Sequence, residues 1–584
     1  MKNDNILEEV KIKAKTWLSD AFDEETRKQV KDMIENNPAE LTECFYRSLE
    51  FGTGGLRGLM GVGTNRMNIY TVGLATQGLC NYIKKASSPT LSKEDGTISV
   101  AVAHDSRNNS RLFAETVAGI FAANGIKVYL FDALRPTPEL SYTIRHFGCQ
   151  SGVVITASHN PKEYNGYKAY WNDGAQVIPP HDKGIIEEVN CATIESVKFN
   201  GPKELITIIG KEIDEIYTDA IIELMLSQEV VARHKDLKIV YTPIHGTGVE
   251  LVPMTLKKMG FSNIYNVPEQ DIPDGNFPTV KSPNPEDRAA LNLAMQKAKE
   301  VNADIVMATD PDADRVAMAV KNNSGEWTLV DGNQAAAVLI YYLIKRWGEL
   351  GKLKGNEYVV KTIVTSELVA EIAARNNVPC YNVLTGFKWI ADVIRKNEGK
   401  ATFIGGGEES YGYLCGEFVR DKDAVMSCAF FAEIAAWAKD QGKTMFELLL
   451  DIYAEYDFYK EACISIEKTG KSGAEEILAM MEDYRKAPPK TIAGSPVVKL
   501  SDYRDLVSTD FTTGKKEKID LPQSDVLQYH TADGSVITVR PSGTEPKIKY
   551  YISAKMPLPS ATDYNKVNTA LDAKIKNIAD DFTF

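Results

Sequence analysis

The segment Thr309-Asp310-Pro311-Asp312-Ala313-Asp314-Arg315 sets three carboxylates on alternate residues, with Pro311 stiffening the turn. Carboxylates this close repel one another unless a cation sits among them. Hard oxygen ligands of this kind suit Mg2+ or Ca2+. An EF-hand loop begins the same way but requires Gly at its sixth position and Glu at its twelfth, where this chain has Arg315 and Lys321. A magnesium site beside a phosphate is therefore preferred to a solvated acidic turn.

Three further segments could do chemistry. Thr156-Ala157-Ser158-His159-Asn160-Pro161 exposes a hydroxyl at a turn. Serine is weakly nucleophilic and needs either a base or a phosphoryl group already loaded on it. His159 and Lys168 are candidates for stabilising that charge, although a lone Ser-His pair is more often a hydroxyl turn or a cap. Arg540-Pro541-Ser542-Gly543-Thr544 offers a planar guanidinium fork, hydroxyls and backbone N–H groups to an anion. It lacks the G-K-[ST] of a P-loop, and an ordinary polar turn stays open. Glu408 and Ser410, in GGGEESYGY, suit paired sugar hydroxyls on a glycine-flexible loop, or belong to a surface loop. FGTGGLRG, Phe51–Gly58, reads as a loop that brings backbone and Arg57 close to a ligand.

The elements that must position these residues read as α/β. From Thr97, strand and helix patterns alternate: TISVAVAHD, a helix over Arg111–Asn124, IKVYLF, a helix over Pro138–Phe147, and GVVITASHN. This is βαβαβ grammar, which builds a mainly parallel sheet. It recurs over Leu237–Ala308 and again over Tyr358–Ile404, with connecting helices expected over Lys203–Gln228 and Lys443–Tyr456. Past Ser465 the pattern becomes one helix, then strands at Ser535–Arg540 and Lys547–Ser553, then a final helix from Thr562. The Gly/Ser/Lys-rich stretches Lys468–Gly473 and Thr512–Lys518 are expected as turns. The expected boundaries are 1–208, 209–328 and 329–456 for three related mixed-sheet α/β domains, and 457–584 for a smaller α+β domain. Ligands gather at the carboxyl ends of strands in such sheets, and the polar segments fall there.

Bulk properties narrow the function. The 584 residues carry 67 Lys plus Arg against 80 Asp plus Glu, a formal charge of −13, which argues against nucleic acid or an anionic membrane as partner. The apolar run Ala335–Ile344 is too short to span a bilayer and reads as a buried helix face. The charged N-terminal stretch shows no secretory h-region, and eight scattered Cys without a CxxC pair fit reduced thiols, so a cytoplasmic location is expected. Seven dispersed His make a zinc centre unlikely on count alone.

Together with RPTPEL, HDKG, FPTVKSPNPE and LTGFKW, the four motifs resemble the α-D-phosphohexomutase superfamily, in family order from Phe51 to Tyr550. The resemblance is nearest to the subgroup of bacterial phosphoglucomutases and animal phosphopentomutase-type enzymes. It implies four domains around a deep central cleft. It implies a phosphoserine at Ser158, and Mg2+ held by Asp310, Asp312 and Asp314 with a serine-phosphate oxygen. Glu408 and Ser410 match the family's sugar-binding pair, and Arg540, Ser542, Gly543 and Thr544 match its grip on the non-reacting phosphate. Arg57, His159, Lys168, Arg315, Lys361 and Lys388 match basic residues lining the cleft, with Lys388 as a proton-transfer residue. The implied reaction interconverts glucose 1-phosphate and glucose 6-phosphate, with glucose 1,6-bisphosphate as intermediate and activator; mannose or pentose phosphates are the alternative substrates. Outside this class, a serine-dependent metallophosphatase would want several His near Ser158, and a silent sugar-phosphate binder would not need every motif residue intact. Oligomeric state is left open.

Overall fold

The computed structural model describes residues 2–52, 54–86, 97–468, 470–542 and 547–582. They fall into two compact units: Met1–Ala319 with Ile394–Lys396 and Gly412–Trp437, and Val320–Val393 with Asn397–Tyr411 and Ala438–Phe584.

The first unit opens with helices Lys2–Thr16, Glu24–Asn36 and Pro38–Phe45. Asp23 caps the second through the Thr26 amide, and Pro38 starts the third where a missing N–H costs nothing. Their apolar faces close over Trp17, Phe22, Phe45 and Tyr70. A six-stranded sheet follows in the order Gly55–Leu59, Tyr164–Trp171, Ser151–Ile155, Ser99–His104, Lys127–Phe131, Ile206–Ile209. The last four run parallel, and Tyr164–Trp171 runs antiparallel to both of its neighbours, Ser151–Ile155 and Gly55–Leu59. The strands Ser99–His104 and Ser151–Ile155 are buried throughout, which is why they read as continuous β-branched and small residues. A second sheet carries Lys238–Thr242 between Asn263–Asn266 and Ile305–Thr309 in parallel, with Val316–Ala319 antiparallel to Ile305–Thr309.

In the second unit, Glu357–Thr362 lies between Cys380–Val383 and Thr402–Glu408, all parallel. The apolar run forms helix Gly332–Glu349, buried as expected and started by a capping box between Asp331 and Gln334. The C-terminal sheet is antiparallel, in the order Phe458–Glu467, Lys547–Met556, Val536–Pro541, Leu527–Thr531, Ser495–Asp502, Val507–Asp510, Lys516–Lys518. Helix Tyr564–Asp580 packs on it. The architecture of three related α/β layers and a C-terminal α+β domain is thus the one expected.

Several local expectations are corrected. FGTGGLRG contributes an edge strand, Gly55–Leu59, because a glycine at position 55 lets that strand approach: a Cβ there would lie 1.7 Å from the Tyr167 carbonyl oxygen. Gly405 to Gly407 lie inside strand Thr402–Glu408, so they serve close strand pairing rather than loop flexibility; a Cβ at Gly406 would sit 2.3 Å from Val360 O. The span Lys203–Gln228 contains an edge strand as well as helix Lys211–Leu224. Helix Gly470–Lys486 begins where a turn was expected. Strands such as Ser495–Asp502 were missed because they are half-exposed and carry no apolar run.

Candidate active site

Ser151–Ile155 and Ile305–Thr309 each end in one of the polar loops. In the first unit these loops meet, although Ser158 and Asp310 are 152 residues apart in sequence: Ser158 Oγ donates to Asp310 Oδ2 at 2.8 Å. Ser158 is buried and sits at φ 52°, a left-handed conformation that costs a non-glycine residue about 1 kcal/mol and persists only where the surroundings hold it. A local turn is present, with the Ser158 amide donating to Thr156 Oγ1 at 2.8 Å, but the Ser158 hydroxyl reaches out of it.

Asp310, Asp312 and Asp314 are 0%, 0% and 1% exposed, which overturns the solvated-turn alternative. One oxygen from each can be chosen so that all lie within 4.8 Å of one another. Ala313, at φ 48°, folds the turn, and its carbonyl accepts from Ala424 N at 3.1 Å. The carboxylates are not left to repel. Lys168 Nζ lies 2.6 Å from Asp312 Oδ2 and 3.1 Å from Asp314 Oδ2, and Lys422 Nζ lies 3.0 Å from Asp314 Oδ2. Thr137 Oγ1 donates to Asp312 Oδ2 at 2.8 Å. Buried Asp312 and Asp314 nonetheless each keep an Oδ1 without a hydrogen-bond partner among the described residues. Buried carboxylate oxygens with no hydrogen bond, beside a serine hydroxyl, fit a small hard cation.

Burial followed by the two neighbouring carboxylates pushes Asp310 well up. Burial and Asp314 push Asp312 up too, but Lys168 and Thr137 outweigh them and hold it below its ordinary value. Asp314 is held lower still against burial by Lys168, Lys422 and Arg315. Burial favours neutral Lys168, yet Asp312 and Asp314 raise it and keep it charged. Removing one member of a buried pair like this costs about 3–5 kcal/mol, so Lys168 holds the aspartate loop together. His159 lies 3.3 Å from Ser158 Oγ through Nδ1. Burial, then Arg315 and Arg57, pull it down to about 3, so beside the unmodified serine it is a neutral hydrogen-bonding group. Arg57 reaches Asn160 Oδ1 at 3.3 Å, and Arg315 pairs with Glu286 at 3.0 Å.

The second unit holds the other expected residues. Glu408 is buried and not on a surface loop; its Oε1 accepts from Gly386 N at 2.8 Å and so fixes the turn before Lys388. Lys388 opens helix Phe387–Asn397 with its ammonium 5.3 Å from the Trp389 ring centroid. Ser410 is half-buried in the turn after Glu408. Lys361 is 1% exposed and spends its ammonium on Thr362 O, Thr365 O and Glu367 Oε1, so it braces the loop after its strand where a substrate contact was expected. Arg540 is half-buried across from Lys549 on the neighbouring strand, and Ser542 N donates to Lys547 O at 2.8 Å. Gly543 and Thr544 lie outside the described residues.

Sequence reasoning missed Arg107, Thr137 and Lys422. Each lies beside an element boundary (HDSR at a strand end, RPTPEL at a helix start, RDKD before a helix), but its partner is remote in sequence. It also missed Glu139, which is fully buried two residues after Thr137, with both carboxyl oxygens unpartnered among the described residues; Arg135, 3.9 Å away, is committed to Asp214 at 2.6 and 3.0 Å. Burial, then Asp214, raise Glu139 well above its ordinary 4.5, so the native state keeps a proton that the unfolded chain releases. Stability from this group is complete below that ordinary value and is lost as pH rises toward the raised one. Glu139→Gln is therefore expected to gain on the wild type as pH rises above that ordinary value, with a slope of up to about 1.4 kcal/mol per pH unit. Urea unfolding at several pH values measures this, and parallel stability curves would refute it.

Comparison with known proteins agrees with this geometry. Four family models match: phosphoglucomutase/phosphomannomutase alpha/beta/alpha domain I over residues 48–195, domain II over 215–325, domain III over 331–456 and the C-terminal domain over 471–565. A phosphoglucomutase of Staphylococcus haemolyticus is 37% identical over 87% of this chain and 91% of its own. A phosphopentomutase of Mus musculus is 35% identical over 97% and 93%. The open form of Paramecium parafusin, a phosphoglucomutase, shares the fold with a TM-score of 0.64 at 17% identity, covering 91% of this chain and 96% of that one. With four matched domains in order and relatives aligned over nearly their whole length, this chain belongs to the phosphoglucomutase/phosphomannomutase family and is an intramolecular phosphotransferase.

Proposed function

We propose that this enzyme interconverts glucose 1-phosphate and glucose 6-phosphate through a phosphoryl group carried on Ser158. The observation that carries the reading is the 2.8 Å contact of Ser158 Oγ with Asp310 inside a buried carboxylate cluster. Asp310, Asp312 and Asp314, with an oxygen of the serine phosphate, would hold Mg2+, which supplies charge neutralisation to the transferring group.

In the forward half-reaction the bond from phosphorus to Ser158 Oγ breaks as a bond forms to the free 6-hydroxyl of the sugar. That hydroxyl loses its proton to a base, the role proposed for Lys388. The product is glucose 1,6-bisphosphate. After the bisphosphate turns end for end, the bond from phosphorus to the sugar O1 breaks as one forms to Ser158 Oγ, the proton held by Lys388 passes to O1, and glucose 6-phosphate leaves. Arg57, Arg315 and Lys168 offset charge near Ser158, and neutral His159 holds the serine oxygen by hydrogen bonding. Glu408 and Ser410 are assigned to sugar hydroxyls. Arg540, Ser542, Gly543 and Thr544 are assigned to the phosphate that is not reacting.

None of the eight cysteines is in a disulfide, as a reducing cytoplasm keeps them, and no described helix is long and apolar enough to cross a membrane. A cytoplasmic location is part of the proposal.

A second reading is favoured by the phosphopentomutase relative, whose alignment spans as much of the chain as any quoted above. Rates on glucose 1-phosphate, mannose 1-phosphate and ribose 1-phosphate decide between them. Glucose preference is expected; release of inorganic phosphate without isomerisation would replace both readings by a hydrolase. Arg540→Ala is expected to raise KM for the sugar phosphate about a hundredfold, from the loss of a charge-assisted bidentate contact, while Ser158 still loads. Steady-state kinetics with phosphopeptide mass spectrometry check this, and an unchanged KM would remove Arg540 from the substrate site.

A further inference from the structure

We propose that Arg107 is the positioning residue that holds the phosphoryl-bearing loop in its reactive shape. The inference rests on the reading that Ser158 carries the phosphoryl group.

Strands Ser99–His104 and Ser151–Ile155 are parallel neighbours with His104 opposite Ile155, so they leave the sheet side by side. Arg107 lies just past the end of one and Ser158 just past the end of the other. The Arg107 side chain is fully buried. Its Nη1 donates to the carbonyls of Pro161 at 2.9 Å and Tyr164 at 3.1 Å, and its Nη2 donates to those of Ser158 and Asn160. One guanidinium thus gathers four carbonyls of the loop that runs from the nucleophile to the next strand.

The guanidinium is itself fixed. Asp105 Oδ2 lies 3.2 Å from its Nε, while Asp105 Oδ1 accepts from the Arg107 amide and from Ser110 Oγ. The Phe277 ring covers it at 5.1 Å. Ser158 is therefore pinned at both ends: its carbonyl by Arg107 and its hydroxyl by Asp310. This is how a non-glycine residue is kept at φ 52°. Only arginine does the job. Its planar fork spans separated acceptors, whereas a lysine ammonium is a compact point with three donors.

A buried arginine that only closed a loop would affect folding and leave chemistry alone. A positioning arginine affects the chemical step and leaves substrate affinity alone. Arg107→Lys keeps a charge beside Asp105, and Asp105→Asn keeps Arg107 but loosens it. Each variant and the wild type would be loaded with glucose 1,6-bisphosphate and desalted. Two readouts follow: kcat and KM on glucose 1-phosphate, and the decay of phosphate on the Ser158 peptide in substrate-free buffer. Expected for Arg107→Lys are a fall in kcat of about a hundredfold, the cost of a misplacement near 1 Å, and a KM within about threefold. Phosphate should also leave its Ser158 peptide several times faster, as water gains access. Asp105→Asn should lose about tenfold in kcat, which keeps the test decisive if the lysine variant fails to fold. Unchanged kcat and unchanged phosphopeptide lifetime in the variants that fold would overturn the proposal, as would a lower folded yield with normal kcat. If the wild-type peptide never carries phosphate, the Ser158 reading itself fails and this inference falls with it.

Discussion

Ser158→Ala is expected to abolish turnover, with kcat falling at least about ten-thousandfold, because it removes the atom that carries the transferred group rather than one aid among several. Little else should change. Ser158 is buried, and its hydroxyl makes one charged contact, to Asp310. The variant should fold, melt close to the wild type and still bind sugar phosphate. Assay in the direction of glucose 6-phosphate, with intact-mass measurement for the missing phosphate, tests this. A Ser158→Ala enzyme that kept most of its mutase rate would end the phosphoserine scheme.

Asp312→Asn is expected to lose magnesium activation together with at least about a thousandfold in kcat, since one of three anionic ligands becomes neutral. The amide oxygen can still accept from Thr137, and Lys168 keeps Asp314, so the loop should hold its shape. Magnesium titration separates loss of the ion from loss of the fold: the wild type should show a saturable rise in rate, and the variant, melting lower for the weakened Lys168 pair but still folded at the assay temperature, a flat response. A normal magnesium response in the variant would remove Asp312 from the ligand set.

These two residues show how far local spacing reaches. Three aspartates on alternate residues of a proline-stiffened turn are close in any fold, so a shared cation could be read directly from the text. The stated reason was incomplete, however. Lys168 and Lys422 already offset much of the repulsion, and what keeps the metal reading is the pair of Oδ1 atoms without a hydrogen bond among the described residues. Basic residues were harder to place. Lys361 and His159 carried the right residue types, but burial committed one to bracing a loop and made the other neutral. Glycine-rich stretches misled for a related reason: at Gly55 and Gly406 the missing side chain serves close strand approach, which depends on the neighbouring strand.

The sequence by itself determined the repeated α/β order, the four polar motifs at strand ends and the chemistry their residue types allow. Those follow from local periodicity and from contacts within a few residues. Only the tertiary structure decided the pairings across long separations: Ser158 with Asp310, Lys168 with Asp312 at a distance of 144 residues, and Arg107 with the carbonyls around Ser158. Those depend on which strands lie side by side and on which charges are buried together, and burial, not residue type, set which groups stay ionised.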